Sequence, residues 1–566
     1  MPLLCLLAGA ASAGDWTFYR HDLQGTANAG EPLTAAEARA LTVTRVFRVS
    51  GDTYSNPIVA NGSLYFTAGD SNVHAIDLST FQEKWRKKVS AAGPFLPCTP
   101  LSRADPVGAP AVVGNTVYVP GGDGVVYGLD AATGATLWQT KIADPPHVGD
   151  FLWSSMFPLQ GKVYVGVSSL IDCVLVPGRL VALDQASGAV TGTFWGDLNH
   201  GPGAGIWTQQ AYDAATDRIF ATTGTIAKGQ TSITQPLADA FVAIDPGTMT
   251  AVDHFSPLPN DTFVDDNDFG ASPTLYDSPD GRHFVAATDK NGWVYALDRD
   301  HLANGIVWQY QISGPGASPD IGESSIVSAP YANGMLFVGG GRTIDNLPGA
   351  VAGLDAFTGV QKWLFHPDGY VLAGMTVAGD VLFVCASHSV NGNGTLYALD
   401  QATGEVLYTL TAARMFGEPT WANGALYVGD ATGAMFELKP DPAGPQPDFD
   451  VVMGPLTLKD VAGSSASYTV TVKPKNGFAA DVTLSTTRVP LHASATFSPA
   501  TVSATGTAPY TSTLTVSTDP SISAIFEQVG ISGAGGGKTR TAAGWFVVQN
   551  FALSAAPATA VQGGTA

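Results

Sequence analysis

The chain has 566 residues, of which 45% are apolar and only 13% charged, with 65 Gly and 37 Pro. Acidic residues outnumber basic ones 48 to 27, a net charge of −21, which excludes the clustered basic surface that nucleic acid or an anionic membrane requires. Such length calls for several domains or one large repeat array, and the Gly and Pro content suits many short strands joined by tight turns.

The chain opens MPLLCLLAGAASAGDW. Residues 1–13 are predicted to be a signal peptide ending at Ala11-Ser12-Ala13, without the usual basic n-region, as a truncated start would have. The apolar run is too short to span a bilayer and no later stretch is long enough, so an exported location, periplasmic, extracellular or cell-surface, is expected, with no transmembrane span. After cleavage Cys98, Cys173 and Cys385 remain. An oxidising compartment permits one disulfide. Cys98 and Cys173 lie in irregular loops and are the expected pair, whereas Cys385, inside the apolar strand LFVCAS, is an expected buried thiol. No CxxC or CxxCH occurs, so no covalent c-type haem, zinc knuckle or thiol redox motif is expected.

One unit then recurs: an apolar strand, a Gly/Asp turn, a second strand ending in A-x-D or L-D, a turn of the type x-x-T-G, and often a closing aromatic. VYVPGGDGVVYGLDAATGATLW (117–138) is the clearest copy. Others include LYFTAGDSNVHAIDLSTFQEKW (64–85), GRLVALDQASGAVTGTFW (178–195), KNGWVYALDRDHLANGIVW (290–308) and GAVAGLDAFTGVQKW (349–363), and eight units fit in all. Period-two alternation suits strands packed face to face, Asp with Thr-Gly makes a capped tight turn, and the closing Trp is expected to fill the gap between neighbouring units. Four strands per period of roughly 45–60 residues predict an all-β, eight-bladed β-propeller over residues 14–440. The eighth unit lacks its last strand, and the orphan strand at 41–49 is expected to complete it and close the ring.

A Pro-rich linker follows at 441–448. From Phe449 the texture turns to alternating Thr, Ser and Val, which predicts an immunoglobulin-like β-sandwich over 449–549. Residues 550–566 resemble the start of that sandwich and are read as the opening of a second, incomplete copy.

The A-x-D-x-x-T-G-x-x-x-W unit resembles the repeat of pyrroloquinoline quinone (PQQ) propellers, the superfamily of quinoprotein alcohol dehydrogenases, polyvinyl-alcohol-dehydrogenase-like proteins and a non-enzymatic outer-membrane assembly scaffold. The opening DWTFYRHDLQGTANAG is similar to the family's lead-in.

Four segments carry what the resemblance implies for chemistry. In GAGIWTQQAYDAATDRIFATTG (203–224), Trp207 matches the Trp that forms the floor under the quinone. The family continues Thr-Gly-Asn, with Asn as a Ca²⁺ ligand, where this chain has Thr225, a poorer ligand for a hard cation. In VDDNDFGASPTL (264–275), Asp268 matches the catalytic base that takes the alcohol proton while hydride moves to the quinone. In ATDKNGWVYALDRD (287–300), Lys290 matches the basic residue near the quinone oxygens. In VGVSSLIDCVLVPGRLVALD (165–184), Asp172 falls near the family's calcium carboxylate, so Asp172 and Asp268 are the carboxylates implied for a metal. The family's roof of two adjacent cysteines is replaced here by the lone Cys98 of FLPCTP. On the residues alone, Trp207 fits blade packing equally well, Asp268 fits a solvated acidic loop with Asp261, Asp265 and Asp266, and Lys290 fits an ordinary turn.

The resemblance therefore implies a PQQ-dependent oxidoreductase acting on a small alcohol or a polymer, with Trp207, Thr225 and Lys290 toward the cofactor, Asp268 and Lys290 toward catalysis, and a separate electron acceptor. The alternative is a non-catalytic surface propeller that binds protein or polymer, or a surface protein whose sandwich binds glycan.

Overall fold

The computed structural model describes residues 14–92, 103–171, 174–258, 268–316, 318–388, 393–455, 457–506 and 509–549. The chain divides into two compact units after Gly444. In the first, eight sheets of four or five strands follow one another as blades. They occupy residues 58–88, 111–141, 157–195, 211–255, 274–311, 331–365, 376–413 and 420–440. The outer strand of blade 8 comes from the other end of the chain: Leu41–Arg48 pairs antiparallel with Ala434–Pro440. Arg45 grips Glu437 across that seam, its Nε 2.6 Å from Oε2. The orphan strand thus closes an eight-bladed propeller.

The repeat's turn and its Trp act together. Asp130 Oδ1 accepts from the backbone N–H groups of Ala132 and Thr133 and from the Thr133 hydroxyl, and Gly134 completes the turn at φ = 71°. The Trp of the preceding blade lies on that glycine, since a Cβ at Gly134 would come within 2.6 Å of Trp85. Trp308 covers Gly359 and Trp363 covers Gly404 in the same way. Each indole also donates its N–H to a carbonyl of the next blade: Trp85 to Ala131, Trp138 to Gln185, Trp308 to Ala356 and Trp363 to Gln401, at 2.9–3.0 Å. A buried Trp is held best where its one donor finds a partner, so these contacts fix both the spacing and the register of neighbouring blades.

Trp195 departs from the expectation. The position equivalent to the closing Trp of blade 3 is Gly192, and the turn residue opposite it in blade 4 is Met249, whose Cγ would meet a Cβ on Gly192 at 2.6 Å. Small and large residues have exchanged sides. Trp195 instead stacks on His200 with centroids 4.4 Å apart, beneath the Arg179 guanidinium.

Residues 14–29 form a strap that reaches every blade. One residue of the innermost strand receives it in blade after blade: Val59 exchanges two backbone bonds with Trp16, Val112 donates to Thr17, Tyr212 to Leu23, Leu275 to Gln24, Tyr331 to Thr26 and Val377 to Ala27. In blade 3 that position is Pro158, which has no N–H, and the contact becomes Phe18 edge-on to Phe157. Blade 8 receives Gly14 through Asn423.

The second unit has two sheets. One is formed by 448–454, 465–475, 510–518 and 493–498, the other by 457–461, 538–549, 525–535, 480–488 and 501–504. Phe449, Tyr468, Val470, Leu514, Val529, Ile531 and Phe546 pack in its core. Residues 1–13 and 550–566 lie outside the described residues, as do Cys98 and Cys173. Cys385 is a buried free thiol.

Truncating a blade lock should therefore be costly where the indole is enclosed. Trp308→Ala is expected to lower propeller stability by about 3–5 kcal/mol, measured by chemical unfolding. The partly exposed Trp195, outside the lock, should lose clearly less on the same substitution.

Candidate active site

Seven of the eight blades begin just after a short extended segment that sends alternate side chains toward the axis, because residues two apart point to one side. The axial cavity is lined from all eight blades. Its pairs include Tyr54 with Asn56, Trp153 with Ser155, Trp207 with Gln209, Gly270 with Ser272, Ile326 with Ser328 and Leu372 with Gly374. The first member of each pair belongs to a largely apolar ring and the second to a polar or small ring. Tyr19 of the strap lines the same cavity. Beside it Glu418 is buried, 3.7 Å from Arg20, and burial pushes its carboxyl up to about 7.

A second cavity adjoins the axial one. Its lining includes Trp207, Thr225, Asp268 and Lys290, so the structure brings these four sequence-predicted residues together. Trp153 and Trp207 are the two residues that line both cavities. Trp153 is oriented by its N–H bond to the Ser169 carbonyl at 2.8 Å and by an edge-on contact with Phe151.

Asp268 is 3% exposed and is no part of a solvated loop. Lys290 Nζ lies 2.7 Å from its Oδ1. Thr225 donates both its backbone N–H and its hydroxyl to Oδ2, each at 2.9 Å. The Lys290 ammonium also sits 5.0 Å from the centre of the Trp207 ring, on its face. Backbone fixes these positions: Lys290 N–H donates to the Asp268 carbonyl at 2.9 Å, and Gly224 N–H to that of Gly205 at 2.7 Å. Glycine keeps the space open. A Cβ at Gly224 would come within 2.9 Å of Asp268 Oδ2, and one at Gly270 within 2.8 Å of Trp207 Cη2.

An indole face, an ammonium and a carboxylate converging on one cavity fit a flat, anionic, electron-accepting ring such as PQQ. A calcium ion fits less well. Lys290 places a positive charge against one Asp268 oxygen, Thr225 occupies the other, and among the described residues no three His, Cys, Asp or Glu side chains gather as a ligand set. Asp172 lies outside the described residues.

A family model described as outer membrane protein assembly factor BamB, built on the PQQ-type repeat, matches residues 33–212 and 290–442, more than half of the chain. The chain belongs to this family of PQQ-type propellers. Among curated relatives, the PQQ-type propeller is 26% identical to a polyvinylalcohol dehydrogenase of Sphingopyxis sp. (strain 113P3) over 70% of this chain and 69% of that one. A polyvinylalcohol dehydrogenase of Pseudomonas sp. is also 26% identical, and the propeller chain spans 49% of its length. The crystal structure of quinohemoprotein alcohol dehydrogenase from Comamonas testosteroni superposes with a TM-score of 0.61 at 18% identity, covering 76% of this chain and 81% of that one, a likeness of fold.

Trp153, Arg414 and Phe416 also line these cavities and escaped the sequence reading. Their signal was available as the two-residue spacing ahead of each innermost strand, often before a Pro, as in Ser55-Asn56-Pro57 and Ser328-Ala329-Pro330.

A buried carboxylate stripped of its cation is costly. Lys290→Met should lower propeller stability by about 3–5 kcal/mol, while adding Asp268→Asn to that variant should restore most of the loss. Chemical unfolding of the two variants measures both.

Proposed function

We propose that this chain is a quinoprotein oxidoreductase that takes hydride from an alcohol. The observation that carries the reading is the convergence of Trp207, Asp268 and Lys290 on one cavity of a PQQ-type propeller. When bound, PQQ supplies the two-electron acceptor for the alcohol's hydride. Trp207 offers the flat face on which a ring stacks. Lys290, held by Asp268, offers positive charge to an anionic ring and to negative charge that grows on it. Asp268 accepts the alcohol proton at a carboxylate oxygen, since an alkoxide-like carbon–oxygen unit gives up hydride more readily than a neutral alcohol. Thr225 keeps that carboxylate aimed through its two donated bonds.

The substrate class is a small alcohol or a hydroxylated polymer, in line with the activities named for the relatives. Electrons leave to a separate acceptor. The Ala11-Ser12-Ala13 pattern supports export. The C-terminal unit, read as an immunoglobulin-like sandwich, serves as a spacer or a surface-binding module. The scaffold reading is the less favoured one, because a fully enclosed ion pair beside an open cavity contributes little to a surface that only docks partners.

The test is reconstitution of the purified protein with PQQ, with and without Ca²⁺, followed by dye-linked alcohol oxidation. Turnover should appear on reconstitution, fall by at least about 100-fold in Asp268→Asn and vanish together with binding in Trp207→Ala. Absence of PQQ binding in the wild-type protein would overturn the reading and leave the propeller as a scaffold.

A further inference from the structure

The axial cavity has a volume of about 410 Å³, within the roughly 300–1,000 Å³ of small-molecule sites. The chemistry proposed above leaves its polar ring unused. Neighbouring blades order that ring. The Ser155 hydroxyl accepts from Ala109 N–H at 3.0 Å, the Ser272 hydroxyl from Gln209 N–H at 3.0 Å and the Ser328 hydroxyl from Ser272 N–H at 2.9 Å. Asn56 Oδ1 accepts from Glu418 N–H. A hydroxyl that accepts from the backbone keeps its own proton to donate, and an amide whose oxygen is taken keeps its N–H pair. Neither the Ser155 nor the Ser272 hydroxyl donates to a described residue.

Gln209 supplies the opposite. Its Nε2 donates to the Tyr19 carbonyl at 2.6 Å, while its Oε1 is buried with no hydrogen-bond partner among the described residues. A buried acceptor left unpaired is costly, so it marks a place where the donor of another molecule belongs. The ring thus offers several donors and one acceptor on residues that line one cavity.

The charges around the cavity are spent within the protein. Glu418 pairs with Arg20 at 3.7 Å and fills the space beside Gly374, where a Cβ would come within 2.0 Å of its Oε2 and 3.1 Å of the Tyr19 hydroxyl. Arg414 donates to the Asp320 carbonyl at 3.0 Å and lies 4.8 Å from the centre of the Phe416 ring. A neutral ligand therefore suits the site better than an ionic one. Tyr54, Trp153, Trp207 and Phe416 bring aromatic surface to the same cavity, against which the C–H face of a saturated ring packs well.

We propose that the axial cavity binds a neutral cyclic polyol of monosaccharide size, its hydroxyls on the ring of Asn56, Ser155, Gln209 and Ser272 and its C–H face on the aromatic side chains. Each polyol hydroxyl both donates and accepts, so neighbouring hydroxyls answer the serine protons and Gln209 Oε1 together. A monohydric alcohol answers one of them. A carboxylate, which only accepts, leaves Gln209 Oε1 unpaired. The site needs no cofactor and stands apart from the reading of Asp268 and Lys290.

The experiment is titration calorimetry on the full-length, cofactor-free protein. Myo-inositol and glucose are the probes, with cyclohexanol and cyclohexanecarboxylate as the one-hydroxyl and anionic controls. One polyol should bind per chain, at least about tenfold more tightly than cyclohexanol, since two or more hydrogen bonds separate them. Cyclohexanecarboxylate should give no heat. Ser272→Ala should weaken polyol binding about fivefold. Because Ser272 also holds Gln209 N–H, Leu372→Trp is the second variant. It keeps every polar member of the ring, fills the cavity and should abolish binding. Equal affinity for cyclohexanol and the polyols, polyol binding indifferent to both variants, or no heat from either polyol would overturn the proposal, the last leaving a cavity that holds water only. Failure of PQQ to bind in the separate reconstitution would strike the functional reading and leave the polyol site standing.

Discussion

Every blade of this propeller ends at the axis in a strand of two to four residues, and each such strand has an edge whose N–H and C=O groups need partners. The strap at residues 14–29 supplies them. By bonding one innermost strand after another, it ties those strands to a single segment, and its Tyr19 lines the axial cavity. The strand Leu41–Arg48 follows and completes blade 8, so the first 35 described residues both tie the innermost strands together and close the ring. The inter-blade tryptophans act at the outer radius, where the indole of one blade lies on the turn glycine of the next.

The chemistry depends on that frame. With the innermost strands held, the short segments before them project paired side chains inward, one ring largely apolar and one polar. Trp207 and Trp153 belong to the apolar ring and also line the cavity that Asp268 and Lys290 border. A carboxylate and an ammonium at 5% and 8% side-chain exposure sit in a medium of low effective dielectric, where fixed charges act strongly on a reacting group and gain little screening from water. The pair also needs its own hydrogen-bond support to be tolerated there, and Thr225 provides it on the carboxylate side.

Much of the architecture could be read from the sequence because its cause is local and repeated. Asp-x-x-Thr-Gly sets a capped turn wherever it occurs, and the Trp four residues after the glycine reports a blade boundary. The orphan strand at 41–49 was legible as the missing piece of blade 8 because a propeller leaves one open edge. Trp207, Asp268 and Lys290 could be picked out as candidates by family-like segments, but their convergence could not, since three separate segments must be brought to one point by the ring. The exchange of Trp and Gly for Gly192 and Met249 escaped notice because Trp195 closes an otherwise regular unit and masks the shift.

The most direct test of the account is a crystal structure of the protein grown with PQQ. The account predicts a planar group stacked on the Trp207 indole in the cavity bordered by Asp268 and Lys290. Density for PQQ elsewhere, or a solvent-filled cavity at saturating PQQ, would contradict it.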